Sequence, residues 1–173
     1  MASEIYLDTE TLKLSHEVPG GWSNIREFGL SVGITWDEQH GFRVWYEPDA
    51  PQLIEELARF DRIITFNGER FDFQVLSKYG DVGKLHTRSF DLLTDLKKRL
   101  GRRVKFETLV RATLGRGKTG VGHLAVAWWR AGEKDRVVAY CREDVQLMVD
   151  VVRFARQHGY VMIAPGRRIP VTW

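Results

Sequence analysis

The sequence has a single cysteine, Cys141, and only five prolines among its 173 residues. One cysteine cannot form an internal disulfide bond, and it argues against a zinc site built from several thiolates. No apolar run approaches the roughly 20 residues that span a bilayer, so we expect no association with a membrane. The first residues form neither a basic leader nor an apolar signal core. Their absence favours a cytoplasmic protein.

The chain also lacks internal repeats, low-complexity segments and any linker rich in proline or serine. It is 43% hydrophobic and 28% charged, enough apolar material for a core and enough charge to stay soluble. These values exclude a chain that is disordered or fibrous as a whole. We therefore expect one domain over residues 1–173, within the usual size of a single folding unit.

The first half of the chain is rich in β-branched and aromatic residues, and the second half has helical spacing. The predicted strands are 4–8, 26–36, 42–47, 62–66 and 88–90. The predicted helices are 50–59, 70–79, 91–100, 106–114, 123–131 and 134–157. The last segment, 160–173, has β-type residues but two prolines, which predicts an edge strand or a strapped tail. A strand meander followed by alternating strands and helices indicates an α/β fold around a mixed sheet.

Charge is distributed unevenly along the chain. Residues 1–96 have a net charge of −8 and residues 97–173 of +11, and together they give the +3 of the whole chain. The densest basic run, 97–118, contains nine lysines and arginines and a single acid, Glu107. Such a face suits a polyanion such as nucleic acid, because binding releases counterions from its phosphates. A solvated helix surface would show the same charge pattern, so both interpretations stay open here.

Two acids stand on the extended segment formed by the first predicted strand and the residues directly after it. Side chains alternate along a strand, so Asp8 and Glu10 point from the same face a few ångströms apart. Like charges at that distance repel, and one acid takes up a proton unless a cation lies between them. Asp8 also follows an apolar run, which predicts a position at the carboxyl end of a central strand, where α/β sheets bind ligands. Two incidental acids at a solvated strand end are the alternative.

Two further acids lie where a helix meets the predicted core. Asp72 is in a first helical turn, where an acid also favours the helix dipole. Asp144 follows Tyr140 by four residues and shares its helix face, an arrangement that a simple hydrogen-bonded pair also explains. Four acids at such positions together predict an oxygen-lined site for two Mg²⁺ or Mn²⁺ ions. A carboxylate site for two metals beside a basic face is typical of enzymes that hydrolyse phosphodiester bonds with two metal ions.

The arrangement resembles the DEDD exonuclease superfamily in its tyrosine branch, DEDDy. The motifs that carry the resemblance are Asp8-Thr-Glu10, Asn67 with Phe71-Asp72, and Tyr140-x-x-x-Asp144. The chain is similar to ribonuclease H-like domains related to family-B DNA polymerase proofreading domains. The resemblance implies a ribonuclease H-like fold with a mixed central sheet of about five strands flanked by helices. It also implies a 3′–5′ exonuclease that releases nucleoside 5′-monophosphates from single-stranded ends, with DNA favoured over RNA.

The resemblance also implies roles for individual residues. Asp8, Glu10 and Asp144 would ligate the catalytic metal, with Asp8 bridging to a second ion that Asp72 holds. Tyr140 would orient the attacking water. The residues implied to contact the terminal nucleotide or to line the cleft are Thr9, Thr11, Leu12, Asn67 and Phe71.

A glycine-rich loop, 115–122, adds Arg116 and Lys118 as candidates for contact with a nucleic-acid backbone, and a plain surface turn is the alternative. The segment 13–23 departs from the family pattern, and Trp22 within it is a candidate for stacking on a base. Asp91 is expected to cap the helix that follows it.

Two other functions remain compatible with these residues. A structure-specific endonuclease can use the same acids, and a non-catalytic nucleic-acid-binding module would keep only the basic face. A third option, a domain that works beside a helicase or a polymerase as its partner, concerns partnership and not chemistry.

Overall fold

A computed structural model describes residues 2–120 and 122–173 of the chain. The strands in this part are β1 (Glu4–Thr11), β2 (Leu30–Asp37), β3 (Gly41–Tyr46), β4 (Arg62–Thr65), β5 (Ser89–Asp91), β6 (Tyr160–Ala164) and β7 (Arg167–Pro170). The helices are α1 (Ala50–Leu57), α2 (Asp72–Leu76), α3 (Gly83–Thr87), α4 (Leu92–Leu100), α5 (Phe106–Leu114), α6 (Leu124–Arg130) and α7 (Lys134–His158).

Five strands form a mixed central sheet in the order β3-β2-β1-β4-β5. The hairpin strands β1, β2 and β3 pair antiparallel, and β1, β4 and β5 pair parallel. Helices cover both faces, so the predicted α/β fold with a mixed five-stranded sheet is confirmed. The segment after 160 is a separate two-stranded hairpin of β6 and β7, not an edge strand of the central sheet.

Alternation along β1 divides the core into two layers. Tyr6 packs with the cluster that α7 and α5 contribute, whereas Ile5 and Leu7 pack with the cluster of α1 and α2. The 25-residue α7 is the longest helix described, and its apolar stripe covers the face of the sheet that carries Tyr6. Among the described residues, no helix is both long enough and apolar enough to cross a bilayer.

The first strand is longer than predicted. Its parallel pairing with β4 ends at Tyr6 opposite Ile64, but its antiparallel pairing with β2 continues through Asp8 and Glu10. The prediction that the strand ends at Asp8 is therefore wrong. The acids nevertheless lie beyond the end of the neighbouring parallel strand, which leaves one side of β1 open at their level.

Two other predicted elements are shorter in the structure. The predicted strand 26–36 begins only at Leu30, because Ile25–Phe28 forms a 3₁₀ turn and Gly29 adopts a φ of +69°. That backbone angle is unfavourable for most residues and breaks the extended chain. The predicted helix 70–79 is reduced to the five residues of α2.

Candidate active site

Asp8 and Glu10 project from the same face of β1 towards α7. The Cys141 thiol of α7 lies 3.4 Å from both the backbone oxygen and Oδ2 of Asp8. One ligand atom from each of Asp8, Glu10 and Cys141 can be chosen so that all three lie within 4.8 Å of one another. The strand periodicity of two thus produces the predicted pair of neighbouring carboxylates. The nearby thiol is a feature that the sequence did not reveal.

Asp144 enters the same pocket from α7, one turn after Cys141. The residue is 7% exposed, and its Oδ2 accepts a hydrogen bond of 2.7 Å from the Lys118 ammonium. Its Oδ1 is buried and has no hydrogen-bond partner among the described residues. A buried carboxylate oxygen without a donor is costly, so this atom is available to a cation.

Asp72 begins α2 and is also buried. Its Oδ1 accepts a hydrogen bond of 2.6 Å from the Thr9 hydroxyl, which comes from the opposite face of β1 to Asp8 and Glu10. Thr9 therefore ties the fourth acid to the strand that holds the first two. This contact explains why a threonine stands between two acids on β1.

The acids of the pocket hold protons more tightly than isolated acids do. Burial, followed by repulsion from Asp144 and Asp72, raises the pKa of Asp8 well above its usual range. Burial and the charge of Asp8 do the same to the pKa of Glu10. Burial raises the pKa of Asp72 to about 7 and that of Asp144 to about 6. Burial is thus the main cause at all four acids, and repulsion between neighbouring acids adds to it at Asp8 and Glu10.

Lys118 supplies the positive charge that the described structure places among these acids. Burial opposes its charged form, but the charge and hydrogen bond of Asp144 outweigh burial and raise the pKa of Lys118. Its backbone N–H donates to Glu107, which fixes the loop to α5. Its ammonium lies 5.0 Å from the centroid of the Tyr140 ring. Lys118 was predicted to contact a nucleic-acid backbone, whereas here it is bound to Asp144.

The glycine-rich loop 115–122 packs closely against Tyr140. A Cβ atom on Gly120 would lie within 2.6 Å of the Tyr140 ring, so a larger residue would force the loop or the ring to move. Val121 of this loop lies outside the described residues. Arg116, at the start of the loop, forms an ion pair with Asp150 on α7. A nucleic-acid contact by Arg116 stays a prediction.

A cavity of about 600 Å³ opens beside the acids. Asp8, Asp144 and Lys118 line one end, and Asn67 and Arg103 line another part of it. The Phe66 and Phe106 rings form an aromatic wall, with centroids 5.0 Å apart. Asn67 lines this cavity, and its predicted contact with a nucleic-acid strand stays a prediction. The contributions of Arg103 and Phe106 were missed, although Arg103 belongs to the basic run noted in the sequence.

The other predicted nucleotide contacts differ in their accessibility. The side chains of Thr9 and Thr11 are buried, and the Thr11 hydroxyl donates to the backbone oxygen of Lys13. Leu12 is partly buried, and Phe71 packs between Phe28 and the exposed Trp22. Contact of these residues with a nucleotide stays a prediction, and for both threonines any such contact would be through the backbone.

The donor set fits a hard divalent cation. Asp8 and Glu10 lie side by side, Asp8 and Asp144 line one cavity, and the Asp144 Oδ1 lacks a donor among the described residues. Burial, with repulsion from neighbouring acids, raises the pKa values of Asp8 and Glu10. A divalent cation would supply the missing partner and relieve that repulsion. Asp91 caps α4 as expected, by accepting from the N–H groups of Leu93 and Thr94.

Comparison with known proteins gives the family of this chain and a solved structure of similar fold. A family model described as the RNase H superfamily matches residues 5–156. No curated protein was found to match the sequence. Among solved structures, the family B DNA polymerase from the hyperthermophilic archaeon Pyrobaculum calidifontis is similar, with a TM-score of 0.62 at 14% identity. The match covers 90% of this chain and 24% of the polymerase, so the chain spans about a quarter of that protein. At this identity the similarity concerns the fold.

Proposed function

The chain belongs to the RNase H superfamily, and on that premise we propose that it is a metal-dependent 3′–5′ exonuclease of the DEDDy type. The observation that carries the proposal is that Asp8 lies beside Glu10 on one face of β1 and lines the same cavity as Asp144. The proposed substrate is a single-stranded 3′ end, with DNA favoured over RNA, and the product is a nucleoside 5′-monophosphate.

The acids would hold two divalent cations, Mg²⁺ or Mn²⁺. Asp8, Glu10 and Asp144 would bind the first, and Asp8 would bridge to the second, which Asp72 would hold through water. When bound, such ions lower the pKa of water and stabilise charge at the phosphate and the leaving oxygen. The hydrogen bond from Thr9 keeps the Asp72 carboxylate oriented towards this end of β1.

Tyr140 and Lys118 are the other groups of the pocket. Tyr140 lies one helical turn before Asp144 on α7, with the Lys118 ammonium near its ring. Burial raises the pKa of its hydroxyl, so the hydroxyl remains protonated and can donate. We assign it the orientation of the attacking water. Lys118 keeps its proton and would balance the negative charge of the acids while the phosphate approaches.

The direct test is product analysis on end-labelled oligonucleotides with Mg²⁺, Mn²⁺ or EDTA. A 5′-labelled single strand should be shortened stepwise from its 3′ end, and EDTA should abolish the reaction. DNA and RNA versions of one sequence measure the sugar preference. Asp144→Asn serves as the inactive control.

A circular single strand distinguishes the endonuclease alternative. An exonuclease leaves the circle intact, whereas cleavage of the circle would overturn the requirement for a free end. Binding without hydrolysis of any strand, in either metal, would instead support a non-catalytic module. A helicase or polymerase partner fits the same proposal, because either would supply the single-stranded end.

A further inference from the structure

A second cavity adjoins the candidate active site, and four cations and two acids, Glu69 and Asp91, line it. It has a volume of about 370 Å³, and it shares Asn67, Leu93 and Arg103 with the cavity beside the acids. We treat the two adjoining cavities as one groove. Lys105 lines the first cavity, Arg103 lines both, and Lys97, Lys98 and Arg70 line the second.

These five cations are not neutralised within the part of the chain that the structure describes. None of them takes part in an ion pair there, and all five are exposed. Arg99, in the same helix as Lys97 and Lys98, is by contrast paired with Asp95 on the other side of α4. The charges of the five cations along the groove are therefore available to an external anion.

The wall of the groove is held in place by the fold. Asn67 adopts a left-handed φ of +69°, and its backbone N–H donates to the buried carboxylate of Asp91. Its side-chain oxygen accepts a hydrogen bond of 2.9 Å from Arg103. Asp91 also receives N–H groups from Glu69 and Leu93, so it joins β5, α4 and the Asn67 turn. Arg103 is therefore positioned before any ligand arrives.

From this juxtaposition we propose that the groove binds the single-stranded segment of nucleic acid next to the reactive phosphate. The inference rests on the proposed function, because an exonuclease that removes 3′ nucleotides holds its strand on the 5′ side of that phosphate. The strand's phosphates would lie first against Arg103 and Lys105 and then against Lys97, Lys98 and Arg70. The aromatic wall of Phe66 and Phe106 offers a surface for an unpaired base, which a duplex would keep stacked within itself.

The test compares two triple variants by anisotropy of a 5′-labelled oligothymidylate 12-mer in EDTA, between 50 and 200 mM salt. The groove variant carries Lys97→Gln, Lys98→Gln and Lys105→Gln. The control carries Lys84→Gln, Arg167→Gln and Arg168→Gln, three exposed cations that make no ion pair among the described residues and line neither cavity. Both lose three charges, so a general field effect would act on them equally.

The groove variant should bind roughly tenfold more weakly at low salt, and its slope of log K against log salt should become shallower by about 2, since each single-strand phosphate contact contributes about 0.7. The control should keep the wild-type slope. If the slope of log K against log salt is the same in the groove variant and the control, the inference is overturned. This holds even if the wild type degrades the 12-mer in Mg²⁺ or Mn²⁺ and the exonuclease proposal stands. If the wild type hydrolyses no strand in Mg²⁺ or Mn²⁺ but the groove variant alone loses slope, the groove is supported and the exonuclease proposal fails.

Discussion

Two regions of the molecule bury acids in opposite ways. At the turn between β2 and β3, Asp37 is 2% exposed and accepts hydrogen bonds from the N–H groups of Gln39 and His40 and from the Arg43 guanidinium. In the candidate active site, Asp144 is 7% exposed, yet one of its oxygens has no partner among the described residues. Both acids lie in or next to a well-formed secondary structure element.

The contrast shows which buried acids point to function. A carboxylate with a full set of donors stabilises the fold, as Asp37 and Asp91 do at the ends of their strands. A carboxylate that faces other acids lowers the stability of the fold unless a cation binds between them. Such a loss of stability is typical of a functional site. Burial alone therefore does not point to a site, whereas a buried carboxylate oxygen that lacks a donor and lies near other acids does.

The largest expected effect is the fall in kcat when one acid of the pocket is replaced, and it tests this contrast directly. Asp8→Asn and Asp144→Asn should each lower kcat at least about 10²- to 10³-fold, because each removes a charged ligand oxygen but no core volume. Circular dichroism should show an unchanged fold. Asp150→Asn, on the same helix but outside the pocket, is the matched control. Retained hydrolysis in both pocket variants would refute the assignment of the site.

Tyr140→Phe should have a smaller effect, because it removes one hydroxyl and leaves all the acids in place. We expect kcat to fall about 10- to 100-fold, as for groups that orient a ligand or water. Steady-state kinetics with the metal saturating measures the loss. If this variant is as inactive as Asp144→Asn, the hydroxyl acts as a ligand and not in orientation.

Asp37→Asn should lower stability and leave activity unchanged, the reverse of what we expect for the pocket variants. It removes the charge that faces Arg43 in a buried setting, so the free energy of unfolding should fall by about 1–3 kcal/mol. Activity per folded molecule should not change. Urea denaturation beside a hydrolysis assay measures both quantities. An Asp37→Asn protein of full stability would show that the satisfied acid contributes little and would weaken the comparison.

The smallest effect is on the pH dependence of stability without metal. Asp72 and Asp144 have folded pKa values of about 7 and about 6, whereas acids in an unfolded chain titrate near 4. The folded state thus binds more protons between about pH 4 and pH 7, and stability falls as the pH rises through that range.

Thermal denaturation in EDTA should therefore give a lower Tm at pH 8 than at pH 5.5, by on the order of 2–4 °C for each kcal/mol lost. Mn²⁺ should raise Tm more at pH 8, where the acids are ionised and bind it. Asp144→Asn should flatten both trends. A Tm in EDTA that rises with pH would contradict the raised pKa values.

Much of the fold could be predicted because it depends on local patterns. The alternation of Ile5, Tyr6 and Leu7 and the apolar stripe of α7 follow from strand and helix periodicity. The boundaries were less accurate, since the continuation of β1 past Asp8 depends on its pairing with β2, which is a contact between distant segments. The hairpin of β6 and β7 likewise depends on packing against α5 and α7, not on its own residues.

The order and spacing of the motifs by themselves predicted the acids of the candidate site, because the proposed chemistry requires carboxylates at particular places along each element. Only the tertiary structure decided what those acids face. It placed the Lys118 ammonium on Asp144, gave Asp72 the Thr9 hydroxyl as a partner, and aligned the basic residues after Leu96 with the cleft. The physical reason is the separation of the interacting residues along the chain. Periodicity depends on neighbouring residues, whereas the neutralisation of a charge depends on side chains from distant segments that only folding brings together.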